Sequence, residues 1–391
     1  MLTSVDIKAF RSCRDVHLDN LGPVTALIGR NAVGKSNVLK AIEHTARIAT
    51  STSTAATSPF LVHDVTFGLE LGQHFYQYSV AILADRSDAR PNPGHLVESL
   101  HMRPIEDAEL VTVFTRHADV ITLHGFEPAL ISAQPLTSTM GILQAVLPPD
   151  HPLHSLIGPL VAHLAAIRYY PFDEPSESDE SLFIPTAAYE SWLTKYTGTG
   201  DPGTSVTMRL VHLAKTLPKR FEEVQILLGD NGMGLIHEMT FRELDTPSGN
   251  SKADPARRLL FLSFDVGDAA RSNRVYYDGL SLGTRRLLNI IVSLVFDSSS
   301  VMLIEHPEDG IHRGLLRKLV DQLLGYSDES QLIFASHSPV VLDMVTPESI
   351  RMVTISGNTT SVRSLTEDEV SAACDYLEED GPLSDYLESI E

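Results

Sequence analysis

The stretch PVTALIGRNAVGKS, residues 23–36, decides the fold more than any other part of the chain. It begins as a short apolar run, and residues 29–36, GRNAVGKS, match the pattern G-x-x-x-x-G-K-[ST]. The segment that follows, residues 36–49, has apolar residues at the spacing of one helix face. A strand, a glycine-containing loop and a helix in this order are the context that the pattern requires. The sequence therefore predicts a phosphate-binding loop in an α/β fold.

The chemistry of this loop follows from its residue types. Backbone N–H groups of the loop and of the helix N-terminus point at phosphate oxygens. Lys35 supplies a mobile positive charge to the β and γ phosphates, and the Ser36 hydroxyl can ligate Mg²⁺. The alternative is a chance glycine turn, which the combination of strand, lysine, hydroxyl and helix disfavours. The predicted cofactors are therefore ATP and Mg²⁺.

A second motif is VMLIEHPE, residues 301–308, in which a buried apolar strand runs directly into charged residues. An acidic residue at the end of such a strand can hold the Mg²⁺ ion of a phosphate-binding loop, usually through water. Glu305 stands at that position, so we predict that Ser36 and Glu305 form the metal site.

Two weaker motifs lie on either side of this strand. In LSLGTRRLL, residues 280–288, Ser281 and Gly283 precede a helix; the serine is either an ordinary N-cap or part of a phosphate-receiving helix N-terminus. In QLIFASHSP, residues 331–339, His337 follows a strand and either caps a loop or contacts the γ phosphate. A position at the tip of a strand beside a phosphate-binding site favours the second interpretation.

Composition limits the partners and the compartment. The formal net charge is −21, and ten acidic residues without any Lys or Arg lie between Glu367 and Glu391. Such a surface repels phosphate backbones, so binding of nucleic acid is not indicated by charge, although a local basic groove around Arg257, Arg258, Arg271 and Arg274 stays open. Two cysteines, no visible signal peptide and no apolar run of membrane-spanning length predict a cytoplasmic protein with no membrane partner.

Four stretches carry a resemblance to a known family. They are IKAFRSCRDVHLDNLGPVTALIGRNAVGKSNVLKAI (7–42), LSLGTRRLL (280–288), LIEHPEDGIH (303–312) and FASHSPVVLD (334–343). In this order they resemble the ABC-type ATPase heads of the RecF, SMC and OLD (overcoming lysogenization defect) group. They are most similar to short AAA-family ATPases of bacterial DNA repair and anti-phage defence operons. The resemblance is thin between about residues 104 and 250.

The resemblance implies a role for each motif residue. The Walker A loop, and with it the nucleotide-binding site, takes in Gly29, Arg30, Asn31, Ala32, Val33, Gly34, Lys35, Ser36 and Asn37. Glu305 matches the Walker B acid, His337 the switch histidine, and Ser281 and Gly283 the signature that completes the ATP site of a partner. Two heads would then enclose two nucleotides, so the implied partner is a second copy of the chain. Gln73 and Gln77 are both candidates for the Q-loop glutamine.

The sequence departs from the family pattern at one catalytic position. Family members commonly read IEEPE, whereas this chain reads IEHPE, with His306 in place of the carboxylate that positions or deprotonates the attacking water. A neutral imidazole can do that chemistry, but a protonated one would stabilise γ-phosphate charge and hydrolyse poorly. Glu308 is a further candidate for the role. We predict slow hydrolysis with His306 facing the water.

The expected fold class is α/β: a P-loop NTPase with an ABC-ATPase-like head, a mixed sheet core, an antiparallel β lobe and a helical insertion. The expected parts of a single head over residues 1–391 are the Walker A loop and β lobe (1–105), the helical insertion (125–230), the signature, Walker B and switch-histidine lobe (231–366), and an acidic tail (367–391). No long heptad run indicates a coiled-coil arm.

Three functions are open at this point. The first is an ATPase that dimerises around ATP and controls a separately encoded effector in DNA repair or anti-phage defence, since no effector signature is visible. The second is a nucleotide-binding switch or scaffold with little hydrolysis, which His306 motivates. The third is a transporter ATPase subunit, which the LIEHPEDGIH and SHSP motifs disfavour.

Overall fold

The computed structural model of the chain describes residues 1–51, 62–85, 92–106, 109–126, 137–171, 183–195, 205–245, 258–267, 272–379 and 381–390. The chain divides into two compact units. The first comprises Met1–Tyr169, Ser300–Glu305 and Ser327–Glu391, and the second comprises Tyr170–Ser299 and His306–Tyr326. The chain therefore leaves the first unit twice and returns to it each time.

The strands of the described residues follow in chain order. Those of the first third are β1 (Leu2–Phe10), β2 (Val16–Leu18), β3 (Val24–Ile28), β4 (His63–Leu71), β5 (His74–Asp85), β6 (Asn92–Pro104), β7 (Val111–His117) and β8 (Val120–Leu123). The others are β9 (Ile167–Tyr170), β10 (Ile184–Pro185), β11 (Glu238–Asp245), β12 (Arg258–Asp265), β13 (Arg274–Val275), β14 (Val301–Glu305), β15 (Gln331–Ser336), β16 (Ile350–Ser356) and β17 (Thr359–Ser364).

The helices of the same residues are distributed over both units. They are α1 (Lys35–Thr50), α2 (Thr139–Val146), α3 (Pro152–Ala165), α4 (Thr186–Lys195), α5 (Val206–Thr216), α6 (Pro218–Leu228), α7 (Leu282–Phe296), α8 (Arg313–Gly325), α9 (Pro339–Leu342), α10 (Glu367–Glu379) and α11 (Leu383–Ile390). Over the described part of the chain, none of them combines the length and the apolar character that crossing a membrane requires.

The core sheet of the first unit has the strand order β17-β16-β3-β15-β14-β9. Its centre is parallel, because β3 pairs with β15 and β16, and β15 pairs with β14, all in the same direction. Parallel strands are covered on both faces, which explains why β14 and β15 read as continuous apolar runs and are buried. Their carboxyl ends meet at one edge of the sheet, and the loops that follow carry the polar motifs.

The other sheet of the first unit is antiparallel and has the order β2-β1-β4-β5-β6-β7-β8. It is the antiparallel β lobe expected from the sequence, and it extends past the predicted end at residue 105 to Leu123. Glu98 lies fully buried in this lobe and accepts hydrogen bonds from the Tyr78 hydroxyl at 2.6 Å, the Thr139 backbone N–H at 2.8 Å and Arg116 at 3.3 Å. Burial, with the charge of Glu98, raises the pKa of Tyr78 well above its usual value.

The second unit combines α4–α8 with a small antiparallel sheet of order β10-β12-β11, in which β13 also pairs with β12. A buried ion pair joins α5 to the end of α7, where Arg209 lies 3.3 Å from Asp297. Arg209 also donates to Ser293 at 2.9 Å, and Tyr170 donates to Asp297 at 2.7 Å. Because each charged group has hydrogen-bond partners, its burial is tolerated, and the network fixes α5 against α7.

Two of the predicted parts of the chain each contribute to both compact units. The helical insertion 125–230 is split, with α2 and α3 in the first unit and α4–α6 in the second. The segment 231–366 is split too, with β14 and β15 in the first unit and α7 and α8 in the second. Parallel strands cannot be joined by tight turns and need crossover connections. Consecutive stretches of sequence therefore alternate between sheet strands and helices of different units.

The acidic segment 367–391 is helical where it is described. α10 and α11 belong to the first unit, and α11 packs on α9 with Leu383 and Leu387 buried. The Ser384 backbone N–H donates to Asp343 at 3.0 Å, and the Tyr386 hydroxyl donates to the Glu369 carbonyl at 3.1 Å. Leu383 and Leu387 thus pack this segment on its own chain, and the exposed carboxylates of its described part are those of Glu367, Asp368, Asp375, Glu378, Asp385 and Glu388.

A pair of buried histidines packs between α1 and β4. His44 and His63 are 7% and 1% exposed, and their rings lie 5.2 Å apart beside Phe10. Burial lowers the pKa of His44 to about 4, assisted by the charges of Arg47 and Arg11. Burial also lowers the pKa of His63 to about 3, with a further contribution from His44. Both rings are therefore neutral in the folded protein at ordinary pH.

We expect this pair to make the first unit sensitive to acid. In the unfolded chain both pKa values return to about 6.5. Between about pH 6.5 and pH 4 the unfolded state therefore binds protons that the folded state refuses, and stability falls with pH by about 1.4 kcal/mol per pH unit for each histidine. Urea unfolding from pH 7 to pH 4 should show a shallower fall for His63→Phe than for the wild type. Equal slopes of unfolding free energy against pH for the two proteins would contradict the conclusion that both buried histidines are neutral in the folded state.

His17 offers a matched control, because the hydrogen bond that its ring donates to the Asp6 carboxylate raises the pKa of this exposed histidine. Below about pH 6.5 it is protonated in both states, so His17→Asn should leave the slope in that range unchanged.

Candidate nucleotide-binding site

The loop between β3 and α1 depends on two glycines in left-handed conformations. Gly29 has a φ of 152° and Gly34 a φ of 107°, values that residues with a side chain rarely adopt. A Cβ on Gly34 would overlap Oγ1 of Thr360, and a Cβ on Gly29 would overlap the carbonyl oxygen of Val353. Backbone conformation and lack of space therefore both require glycine at these two positions.

The helix that follows presents an N-terminus suited to an anion. α1 begins at Lys35, no side chain among the described residues caps it, and its first turn carries no acidic residue. The N–H groups and the helix dipole therefore favour negative charge at this point. Arg30, Asn31 and Ala32 form an exposed rim before it, and Val33 is buried beneath.

Lys35 is 3% exposed and folds back over its own loop. Its Nζ donates to the carbonyl oxygens of Gly29 at 2.6 Å and Arg30 at 2.9 Å. These carbonyls supply partial negative charge to the ammonium group, which keeps the buried charge satisfied. The positive charge is thus stored within the loop, beside the open helix N-terminus.

A polar network from distant parts of the chain supports the loop from behind. Thr360 of β17 donates from Oγ1 to the Val33 carbonyl at 2.8 Å, and its Oγ1 lies 2.8 Å from Oγ of Ser12. Asn37 donates from Nδ2 to the same Ser12 hydroxyl at 2.7 Å. Thr360 is fully buried, so these bonds are shielded from water. The sequence motifs gave no indication of Ser12 or Thr360.

The predicted metal site is assembled at the carboxyl edge of the core sheet. Glu305 of β14 pairs in register with Ala335 of β15. Ser36 donates a hydrogen bond from Oγ to Oε1 of Glu305, and Tyr169 of β9 donates from its hydroxyl to Oε2. Hydroxyl and carboxylate oxygens are the ligands that Mg²⁺ takes, so this donor set fits the ion.

His337 follows β15 at the same edge. Its side chain is exposed, and it lines a pocket of about 140 Å³ with Gly29, Arg30 and residues of α9 and α11, including Glu388. The next residue, Ser338, precedes α9, and its N–H is held at 3.0 Å by the Ser336 hydroxyl. The histidine therefore stands beside the first residues of the phosphate-binding loop, within reach of a ligand there.

Ser281 and Gly283 open α7 in the second unit. Ser281 is the N-cap, since its Oγ accepts from the Thr284 N–H at 3.2 Å, as the ordinary capping interpretation requires. A Cβ on Gly283 would lie 2.7 Å from the carbonyl oxygen of Gly310, so close packing alone requires glycine there. Leu282 between them is 61% exposed. These residues form a turn that packs against Gly310 and leaves Leu282 exposed.

His306 begins the turn after β14 and has an unusual backbone. Its φ of 46° lies in the left-handed region, which a non-glycine residue seldom occupies and which is common at functional sites. Its carbonyl accepts from Arg286 of α7 at 2.6 Å. Its Nδ1 lies 3.6 Å from Oε1 of Glu308, too far for a hydrogen bond.

The two Q-loop candidates lie at the far end of the lobe from the loop. Gln73 is in the turn between β4 and β5, and Gln77 pairs with Gly68, which itself pairs with Ser4 near the start of β1. The phosphate-binding loop contacts Ser12, just beyond the other end of that strand. Six residues of extended chain span about 20 Å. Neither glutamine can therefore reach a phosphate on the loop of the same chain.

The described arginines of the candidate basic groove are paired with acids. Arg258 lies 3.0 Å from Asp245, and Arg274 lies 3.6 Å from Glu238. Arg257 and Arg271 lie outside the described residues. The paired arginines agree with a solvated polar face, the interpretation that the charge balance favours.

Two family models match the chain. One, described as "AAA ATPase domain", matches residues 1–60, which contain the phosphate-binding loop. The other, described as "AAA domain, putative AbiEii toxin, Type IV TA system", matches residues 168–343, which contain Ser281, Glu305 and His337. The matched segments thus include every motif of the site.

Two relatives are similar in sequence. An OLD nuclease of Thermus scotoductus is 24% identical over 397 aligned positions, which cover 96% of this chain and 66% of the relative. The chain thus spans slightly less than two thirds of that relative's length. An uncharacterized protein of Methanocaldococcus jannaschii is 46% identical over 41 residues, which cover 10% of this chain and 12% of the relative.

Solved structures of SMC heads are similar at low identity. The SMC head domain from Thermotoga maritima has a TM-score of 0.44 and 12% identity, and the match covers 93% of this chain and 99% of that one. An SMC head bound to the C-terminal winged-helix domain of ScpA has a TM-score of 0.45 and 13% identity, with 95% and 99% covered.

The glycine loop before α1, the carboxylate at the end of β14 and the two matching family models lead to one conclusion. The chain has the α/β fold of a P-loop NTPase, and over residues 1–60 and 168–343 it matches models of AAA-type ATPase domains, which agrees with its resemblance to the ATPase heads of the RecF, SMC and OLD group.

Proposed function

We propose that this chain binds ATP with Mg²⁺ on residues 29–36, hydrolyses it slowly, and dimerises around the nucleotide to control a separately encoded effector. The observation that carries the proposal is the contact between Ser36 and Glu305 beside the open N-terminus of α1. A phosphate-binding helix end and an oxygen-donor pair for Mg²⁺ are the two parts that nucleotide binding needs.

Lys35 and the loop prepare the site for phosphate. The ammonium group of Lys35 exchanges the carbonyls of Gly29 and Arg30 for the β and γ phosphates when nucleotide binds. Ser36 and Glu305 would hold Mg²⁺, which would supply charge neutralisation on the same phosphates. His337, which lines a pocket with Gly29, is the group we assign to the γ phosphate. Each of these groups acts on charge and position rather than by covalent chemistry.

We assign to His306 the role of positioning or deprotonating the attacking water, and to Glu308 the role of orienting the His306 ring. The 3.6 Å separation between His306 Nδ1 and the Glu308 carboxylate supports a histidine–carboxylate pair that closes to hydrogen-bond distance with nucleotide present. The bond at 2.6 Å from Arg286 to the His306 carbonyl fixes the turn that aims the ring. An imidazole base in place of a carboxylate accounts for slow turnover at neutral pH.

A switch with little hydrolysis is the second candidate, and the same distance favours it. If His306 does not close on Glu308, its ring is not oriented to accept a proton from a water beside the γ phosphate. The protein would then hold ATP until a partner supplies the missing catalytic group.

The signature turn supports dimerisation around nucleotide. Leu282 is 61% exposed between Ser281 and Gly283, at the N-terminus of α7. An exposed apolar residue beside a helix N-terminus suits a surface that another chain covers and that receives an anion from it. We assign that anion to the nucleotide on the second copy of the chain.

The names of the relatives support the biological setting. One relative is named a nuclease, an enzyme that acts on nucleic acid. The description of one matching family model names a putative toxin of a toxin–antitoxin system. We propose that the present chain supplies the ATP-dependent control in such a system and that a separate protein supplies the effector activity.

The hydrolysis assignment predicts a loss of turnover in His306→Ala. Steady-state phosphate release with Mg²⁺-ATP should be measurable for the wild type above a Lys35→Ala background and at least ten times lower in His306→Ala, as expected when a general base is removed. The rate of phosphate release by Glu308→Gln should lie between the rates of the wild type and His306→Ala. ATP affinity should change little in either variant. Wild-type turnover in His306→Ala would show that another group activates the water.

The dimer assignment predicts an ATP-dependent change in mass that Leu282→Asp abolishes. Val120→Asp is the matched control, because Val120 of β8 is also 61% exposed but lies in no predicted nucleotide contact. Analytical ultracentrifugation with Mg²⁺-ATP should give a dimer for the wild type and Val120→Asp, and a monomer for Leu282→Asp. A wild type that stays monomeric would refute dimerisation.

The effector assignment predicts a stable complex with the product of a neighbouring gene. We expect co-expression and affinity purification to recover that protein with the wild type in Mg²⁺-ATP and in smaller yield with Lys35→Ala. If no neighbouring product binds in either nucleotide condition, control of a separate effector is excluded.

A further inference from the structure

The carboxylate of Glu305 has a hydrogen-bond donor that belongs to none of the sequence motifs. Ser36 occupies Oε1, and the Tyr169 hydroxyl donates to Oε2. A carboxylate turns easily about its last side-chain bond, since that torsion has no sharp staggered minima. One donor on each oxygen fixes the plane of the group. Tyr169 therefore restricts rotation of the Glu305 carboxylate away from the metal position.

The ring of Tyr169 is itself held by the sheet and by the first helix. β9, which carries it, is the neighbour of β14 in the core sheet. Lys40 of α1 places its Nζ 5.5 Å from the centroid of the Tyr169 ring, an arrangement in which the cation is attracted to the ring. Lys40 is on the helix that begins with Lys35. The phenol is thus fixed by the elements that carry the carboxylate and the phosphate-binding loop.

We infer that Tyr169 is a positioning residue that orients Glu305 for Mg²⁺; this rests on the proposed binding of Mg²⁺-ATP. Mg²⁺ demands nearly ideal octahedral geometry and tolerates misplaced ligands poorly. A hydroxyl would ligate the ion through a lone pair and keep its proton for Oε1 of Glu305, so Ser36 serves the metal and one carboxylate oxygen, and the Tyr169 hydroxyl is the donor that fixes the other oxygen. Groups that orient a metal ligand in this way typically change metal affinity by about 10–100-fold when removed.

The test is Tyr169→Phe, which removes one oxygen atom from a partly exposed side chain. Binding of a fluorescent ATP analogue is measured while Mg²⁺ is titrated, with no turnover required. We expect the Mg²⁺ concentration at half-saturation to rise about tenfold or more. In EDTA, the variant and the wild type should bind the analogue equally, because the phosphate loop is unchanged.

The adjacent tyrosine provides the matched control. Tyr170 donates its hydroxyl to Asp297 at 2.7 Å and lies 2.9 Å from the Ser299 hydroxyl, away from Glu305. Tyr170→Phe should lower the melting temperature and leave the Mg²⁺ midpoint where it is in the wild type. A general effect of losing a tyrosine hydroxyl would instead move both variants together.

A double-mutant cycle with Glu305→Gln decides whether the effect passes through the carboxylate. Tyr169→Phe should add no further shift in the Glu305→Gln background, because the group that it orients has been changed. A wild-type Mg²⁺ midpoint in Tyr169→Phe, or an equal shift in both backgrounds, overturns the inference. A wild type that binds no nucleotide with Mg²⁺ refutes the proposed function instead, and the two failures are therefore distinguishable.

Discussion

The parallel pairing of β3 with β15, and of β15 with β14, is the constraint on which the site depends. In this register Ser336 pairs with Ile28 and Ala335 pairs with Glu305. The phosphate-binding loop, the acidic strand end and His337 therefore emerge at one edge of the sheet. A slip of one residue would turn Glu305 to the other face of the sheet and away from Ser36. The buried apolar strands that drive the pairing thus also place the charged residues that follow them.

The loop itself is shaped by contacts that lie far apart in the sequence. Thr360 donates to the Val33 carbonyl and occupies the space that a side chain on Gly34 would need. Ser12 joins Thr360 to Asn37 on the first turn of α1. The loop is consequently fixed before nucleotide arrives, and Lys35 is already held over it by the loop carbonyls. Such preparation reduces the ordering cost that binding would otherwise carry.

The motifs with local signatures were predictable, and the residues that support them were not. GRNAVGKS and VMLIEHPE combine strand, turn and polar residue within a few positions, so their placement follows from local rules. Tyr169 reaches Glu305 across 136 positions and Thr360 reaches Val33 across 327, distances over which no periodicity carries information. The Q-loop candidates could not be weighed from the sequence, because the hairpin register that places Gln73 at the far end of the lobe is a tertiary property. The two compact units join segments that lie far apart in the sequence, because crossover connections divide what is continuous along the chain.

Two adjacent residues at the end of β14 have different tasks in the proposed ATPase: Glu305 for Mg²⁺ and His306 for the attacking water. Glu305 still belongs to the strand, and Ser36 and Tyr169 fix its carboxylate on the side of the phosphate loop. His306 has left the strand through a left-handed φ, and its direction is set by the turn that Arg286 holds. Under the proposed assignment, a histidine in place of a carboxylate at the second position alters the group that would face the water and leaves the residues that would hold Mg²⁺ unchanged. Nucleotide binding can therefore stay strong while hydrolysis slows, which is the combination required of a protein whose ATP-bound state must persist long enough to be read by a partner.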